Sequence, residues 1–357
     1  MPHGALMGDN RGMPSTLRVG VIGCGAFGRN HARVYRDLAT DASPAIKFAG
    51  VADTDFERAQ AVAREFGTRA FRSAEELIAA GVDAASVAVP TVSHLAVARQ
   101  LIQSGVDVLI EKPLATTVAE ADELIALARK HDRVAQTGHL ERFNPAVRAT
   151  IALITQPMFF EVHRLSVFTP RSLDIDVVLD LMIHDLDVVL SFVDSQVKEV
   201  RAVGLPILSK KVDIANVRLE FDSGCVANFT ASRVSTERIR KLRFFQPHQY
   251  VSLDYSRQDV LALSVEGEPS DAVGVDPFNP ASVAAGAFPS ITPNKPKVEQ
   301  QEPLRAELIS FLLAVRERGQ PEVTLEDGRR ALALAMQIVD AIAEHARQAR
   351  LSELTRG

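Results

Sequence analysis

The run Val19-Gly20-Val21-Ile22-Gly23-Cys24-Gly25-Ala26-Phe27-Gly28 constrains this chain more than any other segment. An apolar β-type stretch ends in G-x-G-x-x-G, and a helix-compatible segment, Arg29–Leu38, follows it. That order builds a phosphate cradle. Gly23 allows a sharp turn, Gly25 a close backbone approach, and Gly28 tight packing of helix on strand. The helix start, with Ala26 and Phe27, then offers free N–H groups and a partial positive charge. A second β-run, Ile46–Asp53, ends in a carboxylate. Asp53 there can accept hydrogen bonds from ribose hydroxyls and would repel a 2′-phosphate, so NAD is expected over NADP. The polar segment Thr40–Pro44 accounts for the long interval before it.

Length favours two domains, since 357 residues exceed one ordinary α/β unit. A net charge of −5 gives no reason to expect nucleic acid or an anionic membrane as partner. No apolar run reaches the roughly 18 residues of a transmembrane span. Residues Met1–Ser15 lack an apolar core, read as a disordered tail (1–16), and are no secretory signal. Two cysteines, Cys24 and Cys225, fit a reducing, cytoplasmic setting without disulfides.

Strand and helix alternate through the first part of the chain. Leu17–Ile22, Ile46–Asp53, Ala70–Arg72, Asp83–Val89, Asp107–Ile110 and Arg133–Thr137 read as strands. Helices read between them, from Arg29–Leu38 to Val118–Lys130. Nearly continuous apolar strands indicate a parallel sheet covered on both faces, a doubly wound nucleotide-binding domain over 17–143. The pattern changes after Asn144. A helix, Pro145–Ile154, precedes strand Phe159–Phe168 and the apolar helix Ile175–Val193. Strands Val197–Pro206, Asp213–Phe221, Cys225–Val234, Lys241–Phe245, Tyr250–Tyr255 and Val260–Val265 follow without intervening helices. They predict an α+β domain over 144–357 with an open, largely antiparallel sheet. Gly267–Pro303 reads as a long loop, and helices Leu304–Arg318 and Leu325–Arg350 close the chain.

Two motifs carry chemistry. Glu111-Lys112-Pro113 stands at the carboxyl end of the fifth strand, where ligands of open α/β sheets bind. Lys112 can hydrogen-bond a substrate hydroxyl there, or be a surface lysine at a strand end. Asp180-Leu-Met-Ile-His184 lies inside the apolar helix, and positions i and i+4 share a face of an α-helix. The spacing therefore predicts Asp180 orienting His184 as a general base, or a structural Asp–His hydrogen bond in a core helix. A metal pair with Asp187 or His163 finds no support in H-E-x-x-H or Cys/His spacing, so no metal is expected.

Together the glycine loop, Glu-Lys-Pro and the Asp-x-x-x-His helix resemble the Gfo/Idh/MocA family from Leu17 to about His345. The resemblance implies an NAD(P)-dependent oxidoreductase of sugars, cyclitols or nucleotide sugars. It implies Lys112 and His184 as the proton-handling pair supported by Asp180, and Thr91, His94 and Glu111 beside the cofactor. The family often has glycines ahead of the helix, where Val177-Val178-Leu179 stand here. A narrower resemblance rests on Gly138–Pro145, Thr169–Asp185, Val212–Asn216 and Thr230–Val234. It points to family members that oxidise the 3-hydroxyl of UDP-N-acetylglucosamine, whose product an aminotransferase converts on the way to lipid A. A UDP-sugar needs cations for its diphosphate. Arg142, Arg164, Arg171 and Arg233, with Asn144, are the candidate substrate contacts; each arginine alone also suits a solvated or ion-paired surface position. Other sugar, cyclitol or UDP-uronate dehydrogenases, and a non-catalytic nucleotide-sensing regulator, are the alternatives. The family habit further implies a homodimer or homotetramer through the open sheet face.

Overall fold

A computed structural model describes residues 16–41, 44–169, 175–266 and 290–350. The chain divides into two compact units. One comprises Met1–Glu111, Glu120–Gly138 and Glu307–Leu325; the other comprises Lys112–Ala119, His139–Ala306 and Glu326–Gly357. No described helix is long and apolar enough to cross a membrane.

The first unit is a six-stranded parallel sheet. Its strands are β1 (Leu17–Ile22), β2 (Ile46–Ala52), β3 (Ala70–Phe71), β4 (Ala84–Val87), β5 (Asp107–Glu111) and β6 (Ala135–Gly138), in the order β3-β2-β1-β4-β5-β6. Every strand of this sheet runs parallel to its neighbours. Helices α1 (Ala26–Leu38), α2 (Phe56–Phe66), α3 (Ala74–Ala79), α4 (His94–Gln103) and α5 (Val118–Lys130) connect them. The order reverses at β1/β4, the position where such sheets open a ligand crevice. Strands β4 and β5 are buried at every residue, which is why their sequence runs apolar rather than alternating.

The second unit is built on an eight-stranded mixed sheet. It begins with α6 (Pro145–Ile151) and β7 (Phe159–Val167), followed by a π turn at Val178–Met182 and α7 (Ile183–Phe192). Then come β8 (Val197–Leu205), β9 (Ile214–Phe221), β10 (Val226–Ser235), β11 (Ile239–Gln246), β12 (Gln249–Asp254), β13 (Asp259–Glu266) and β14 (Ser290–Asn294). The order is β14-β13-β12-β11-β7-β10-β9-β8, antiparallel except for the β7–β10 pair. The core lies between one sheet face and α7, where Phe160, Val162, Val217, Phe229, Leu242 and Phe244 meet Ile183, Leu186 and Val189. Helix α8 (Pro303–Glu317) belongs mostly to the first unit, and α9 (Leu325–Gln348) to the second.

Two sequence expectations change here. Strand β14 falls inside the segment read as loop. Its residues are all exposed and include Pro293, so neither alternation nor burial marks it; it is held by main-chain pairing to β13. The helix expected over Ile175–Val193 is not one continuous α-helix, because Val178–Met182 forms the wider π turn. The tail at 1–15 and most of the long 267–303 loop lie outside the described residues.

Candidate functional site: a dinucleotide cleft and a lysine–histidine cluster

In the first unit, β1 ends in the glycine turn. Gly23 has φ +94°, and a Cβ there would lie 2.4 Å from the Ala88 carbonyl oxygen. A Cβ on Gly28 would lie 1.7 Å from the Gly23 oxygen, so α1 can follow β1 this closely only with glycine at both places. Gly25 differs: nothing stands within 4 Å of where its Cβ would be. It caps α1 without a side-chain hydrogen bond, so the first N–H groups of the helix face the open cradle. Phe27 is half exposed at the same helix start.

The cradle opens into a cleft of about 550 Å³ lined by Gly23, Gly25, Ala26, Phe27, Asp53 and Arg58 among others. Asp53 is held rigidly, accepting from the Cys24 N–H at 2.7 Å and the Asp55 N–H at 2.8 Å. Each oxygen retains lone-pair capacity for a ribose hydroxyl. Arg58, unforeseen from sequence, places NH1 3.6 Å from Asp53 Oδ2. It lies in the first turn of the helix that follows the acidic residue, a position a G-x-G-x-x-G search does not weigh. Burial pushes the Cys24 thiol up to about 12, so the cysteine is a packed residue and not a thiolate.

Not every expected cofactor residue lines this cleft. The neighbours Pro90 and Ser93 line it, whereas Thr91 opens a 3₁₀ turn (Thr91–Ser93) and His94 is buried with Nε2 3.0 Å from the Val89 oxygen. His94 therefore fixes the backbone of the lining loop. Glu111 is also directed inward, its Oε1 2.9 Å from His31 Nε2. His31, Glu111 and Glu307 form a buried group whose ligating atoms lie within 4.8 Å of one another.

In the second unit, Lys112 precedes Pro113 across a cis peptide bond. Its Nζ donates to the Asp180 carbonyl oxygen at 2.7 Å and lies 3.7 Å from the Asp180 carboxylate. The π turn takes an extra residue into one helical turn, so positions i and i+4 no longer stack. Accordingly, no hydrogen bond or ion pair joins Asp180 to His184 among the described residues, and Asp180 meets Lys112 in its place. His184 sits in the first turn of α7, with a buried Nδ1 that has no hydrogen-bond partner among the described residues. Burial, then the positive charges of Lys112 and Arg164, hold its imidazole well below the usual histidine range. His184 is therefore neutral at neutral pH and able to accept a proton.

The residues expected to bind a diphosphate are mostly engaged elsewhere. Arg164 is buried, with Nε and NH2 on the Asp185 carboxylate at 2.6 and 2.9 Å and NH1 on Glu141 at 3.0 Å. Its guanidinium also lies 5.1 Å from the Tyr255 ring centroid. Strand alternation explains this placement: Arg164 shares its sheet face with buried Phe160 and Val162. Asn144 caps α6 through Ala146 N–H and donates to Glu141 and the Tyr255 carbonyl. Arg233 is buried, donating to the Ile175 carbonyl 3.7 Å from Asp213 at its Nε. Arg142 stands 3.6 Å from buried Asp187. Each of these four therefore has a contact with the chain's own carboxylates or carbonyls. Arg171 lies outside the described residues.

Comparison with known proteins agrees with both units. Residues 17–139 match the model of an oxidoreductase family with an NAD-binding Rossmann fold, and residues 154–245 match the GFO/IDH/MocA C-terminal domain. The chain is 37% identical to UDP-N-acetylglucosamine 3-dehydrogenase of Acidithiobacillus ferrooxidans, over 91% of this chain and 97% of that protein. A solved structure of that name from the same organism superposes with TM-score 0.80 at 36% identity, covering 92% of this chain and 98% of the other. Levoglucosan dehydrogenase in complex with NADH and levoglucosan shares the fold, with TM-score 0.78 at 18% identity, covering 92% and 97%. By these matches the chain belongs to the Gfo/Idh/MocA family of NAD-dependent oxidoreductases.

Proposed function

We propose that the chain oxidises the 3-hydroxyl of UDP-N-acetylglucosamine to the 3-keto sugar nucleotide. The observation that carries this reading is the likeness, over nearly its whole length, to a dehydrogenase of that name. Glycines 23, 25 and 28 and Asp53 fit NAD, because the cradle leaves room for a pyrophosphate and presents a carboxylate to a ribose. When bound, NAD⁺ supplies the hydride acceptor. The chain supplies position and proton transfer. His184, neutral, takes the hydroxyl proton as the carbonyl forms; Lys112, held by Asp180, hydrogen-bonds the reacting oxygen.

A 3-ketone is the acceptor an aminotransferase needs, so the product fits synthesis of a 2,3-diamino sugar for lipid A. Two free cysteines support a cytoplasmic setting, and the open sheet face supports a homodimer or homotetramer. NADH formation, followed spectrophotometrically with a panel of UDP-sugars, free sugars and inositols, tests the reading. Turnover confined to UDP-N-acetylglucosamine is expected. Equal oxidation of free sugars or inositols would overturn it.

A further inference from the structure

Arg240 of β11 stands directly across from Arg164 of β7 in the antiparallel register. Directly paired residues share a sheet face, so Arg240 projects to the same face as Arg164, beside Leu242 and Phe244 of the core. Two arginines opposite one another repel. Arg164 is compensated, taking both Asp185 and Glu141 within 3.0 Å. Arg240 has no carboxylate within ion-pair distance among the described residues, and its buried Nε has no hydrogen-bond partner. Burial, then Arg164, lower its affinity for a proton against the opposing pull of the Glu141 and Asp185 carboxylates. Its charge also acts on His184. An arginine without an ion-pair partner of its own, partly buried and electrostatically coupled to the proposed base is matched to an anion that arrives from outside.

We propose that Arg240 is the substrate-recognising cation of this unit and receives the diphosphate oxygens of the nucleotide sugar. The assignment rests on the nucleotide-sugar reading above. Arg142, Arg164 and Arg233 differ from Arg240 in that each has a carboxylate of the chain within ion-pair distance. A planar fork suits two phosphate oxygens, and a lysine would keep the charge but lose the fork.

The test uses the full chain loaded with NAD, titrated calorimetrically with UDP, and compares wild type with Arg240→Met and Arg240→Lys. Loss of a charge-assisted contact should weaken UDP roughly 10- to 100-fold in the Met variant, and less in the Lys variant. KM for UDP-N-acetylglucosamine should rise in parallel while NAD affinity stays unchanged. Since Arg240 has no internal counter-ion to lose, the Met variant should melt no lower than wild type. UDP binding within twofold of wild type in a folded Met variant overturns the inference. Should the Met variant not fold, unaltered UDP binding by the Lys variant does the same. Weakening confined to the corresponding UDP-uronate, with UDP untouched, assigns Arg240 to a sugar carboxylate and also overturns it. A wild-type chain that neither binds UDP nor oxidises its sugar conjugate overturns the underlying reading instead.

Discussion

Lys112 and Asp180 are joined twice, through the lysine ammonium on the Asp180 carbonyl at 2.7 Å and its approach to the carboxylate at 3.7 Å. The carbonyl contact survives any change of the Asp180 side chain, whereas the charge contact does not. Lys112→Met should lower kcat by about 10²- to 10⁴-fold, the range of general acid–base catalysis. Asp180→Asn should cost much less, about tenfold. Steady-state kinetics with calorimetric NAD binding as control checks both. Equal losses in the two variants would show that the carboxylate is the essential partner.

His184 provides a pH signature. Its imidazole is depressed, first by burial and then by nearby cations, so the neutral form persists to well below pH 6.5. The acid limb of kcat/KM should therefore lie well below 6.5, with a flat profile from there to neutrality. Linkage has the matching sign. The unfolded chain binds this proton near 6.5 and the native chain only lower, so stability falls as pH drops below 6.5. His184→Asn should lower kcat and flatten that part of the stability profile. An acid limb at or above 6.5 would contradict the assignment.

Arg164 makes a structural prediction. It lies 3% exposed between Asp185 and Glu141, and removing it strands two carboxylates in the interior. Arg164→Ala should destabilise by about 3–5 kcal/mol, as for other broken buried pairs. Thermal or denaturant unfolding measures this. A loss below about 1 kcal/mol would mean that Asp185 and Glu141 find water or become protonated at little cost.

Cofactor choice turns on Asp53 and Arg58 together. Asp53 is fixed by two backbone N–H groups, so its charge stays where a 2′-phosphate would come. Asp53→Ser should narrow the preference for NAD. Arg58, then relieved of Asp53 at 3.6 Å and still anchored to Asp55 at 3.0 Å, should account for most of the gain in NADP use. The double variant Asp53→Ser, Arg58→Ala should lose that gain in kcat/KM for NADP⁺. Wild-type enzyme using both cofactors equally would contradict the role of Asp53.

Gly28 tests the cradle. An added Cβ would lie 1.7 Å from the Gly23 oxygen, so Gly28→Ala must move α1 away from the turn. NAD affinity and melting temperature should fall together, by an overpacking cost of about 1–3 kcal/mol or more. Gly25→Ala meets nothing within the protein, so it should weaken NAD while leaving the apo-protein's melting temperature nearly unchanged.

Much of the fold is legible in the sequence because buried parallel strands such as β4 and β5 carry continuous apolar runs that alternate with capped helices. The glycine cradle is legible because each glycine answers a separate steric demand. The second unit hides more. A π turn leaves the hydrophobic period almost intact, so Asp180 and His184 read as partners although the backbone separates them. The surroundings of the arginines are hidden for a different reason. Composition shows a cation but not its partners: Arg164 takes Asp185 and Glu141, while Arg240, paired with it across the strands, has no carboxylate within ion-pair distance among the described residues. Exposed β14, held by main-chain pairing alone, leaves no side-chain signal.

The wide turn at Val178–Met182 also acts as a phase setting for everything after it. Each α-helical residue advances about 100° around the axis, and one residue absorbed in the wide turn rotates the rest of α7 by about that amount. With this phase, Asp185 faces Arg164 and Asp187 faces Arg142. Restoring an ordinary turn by deleting one residue would rotate apolar neighbours toward both guanidinium groups and turn His184 off its present bearing. Length here is therefore as restrictive as identity: a conservative exchange of Leu179 or Leu181 is a small matter, while the loss of either residue re-aims the helix.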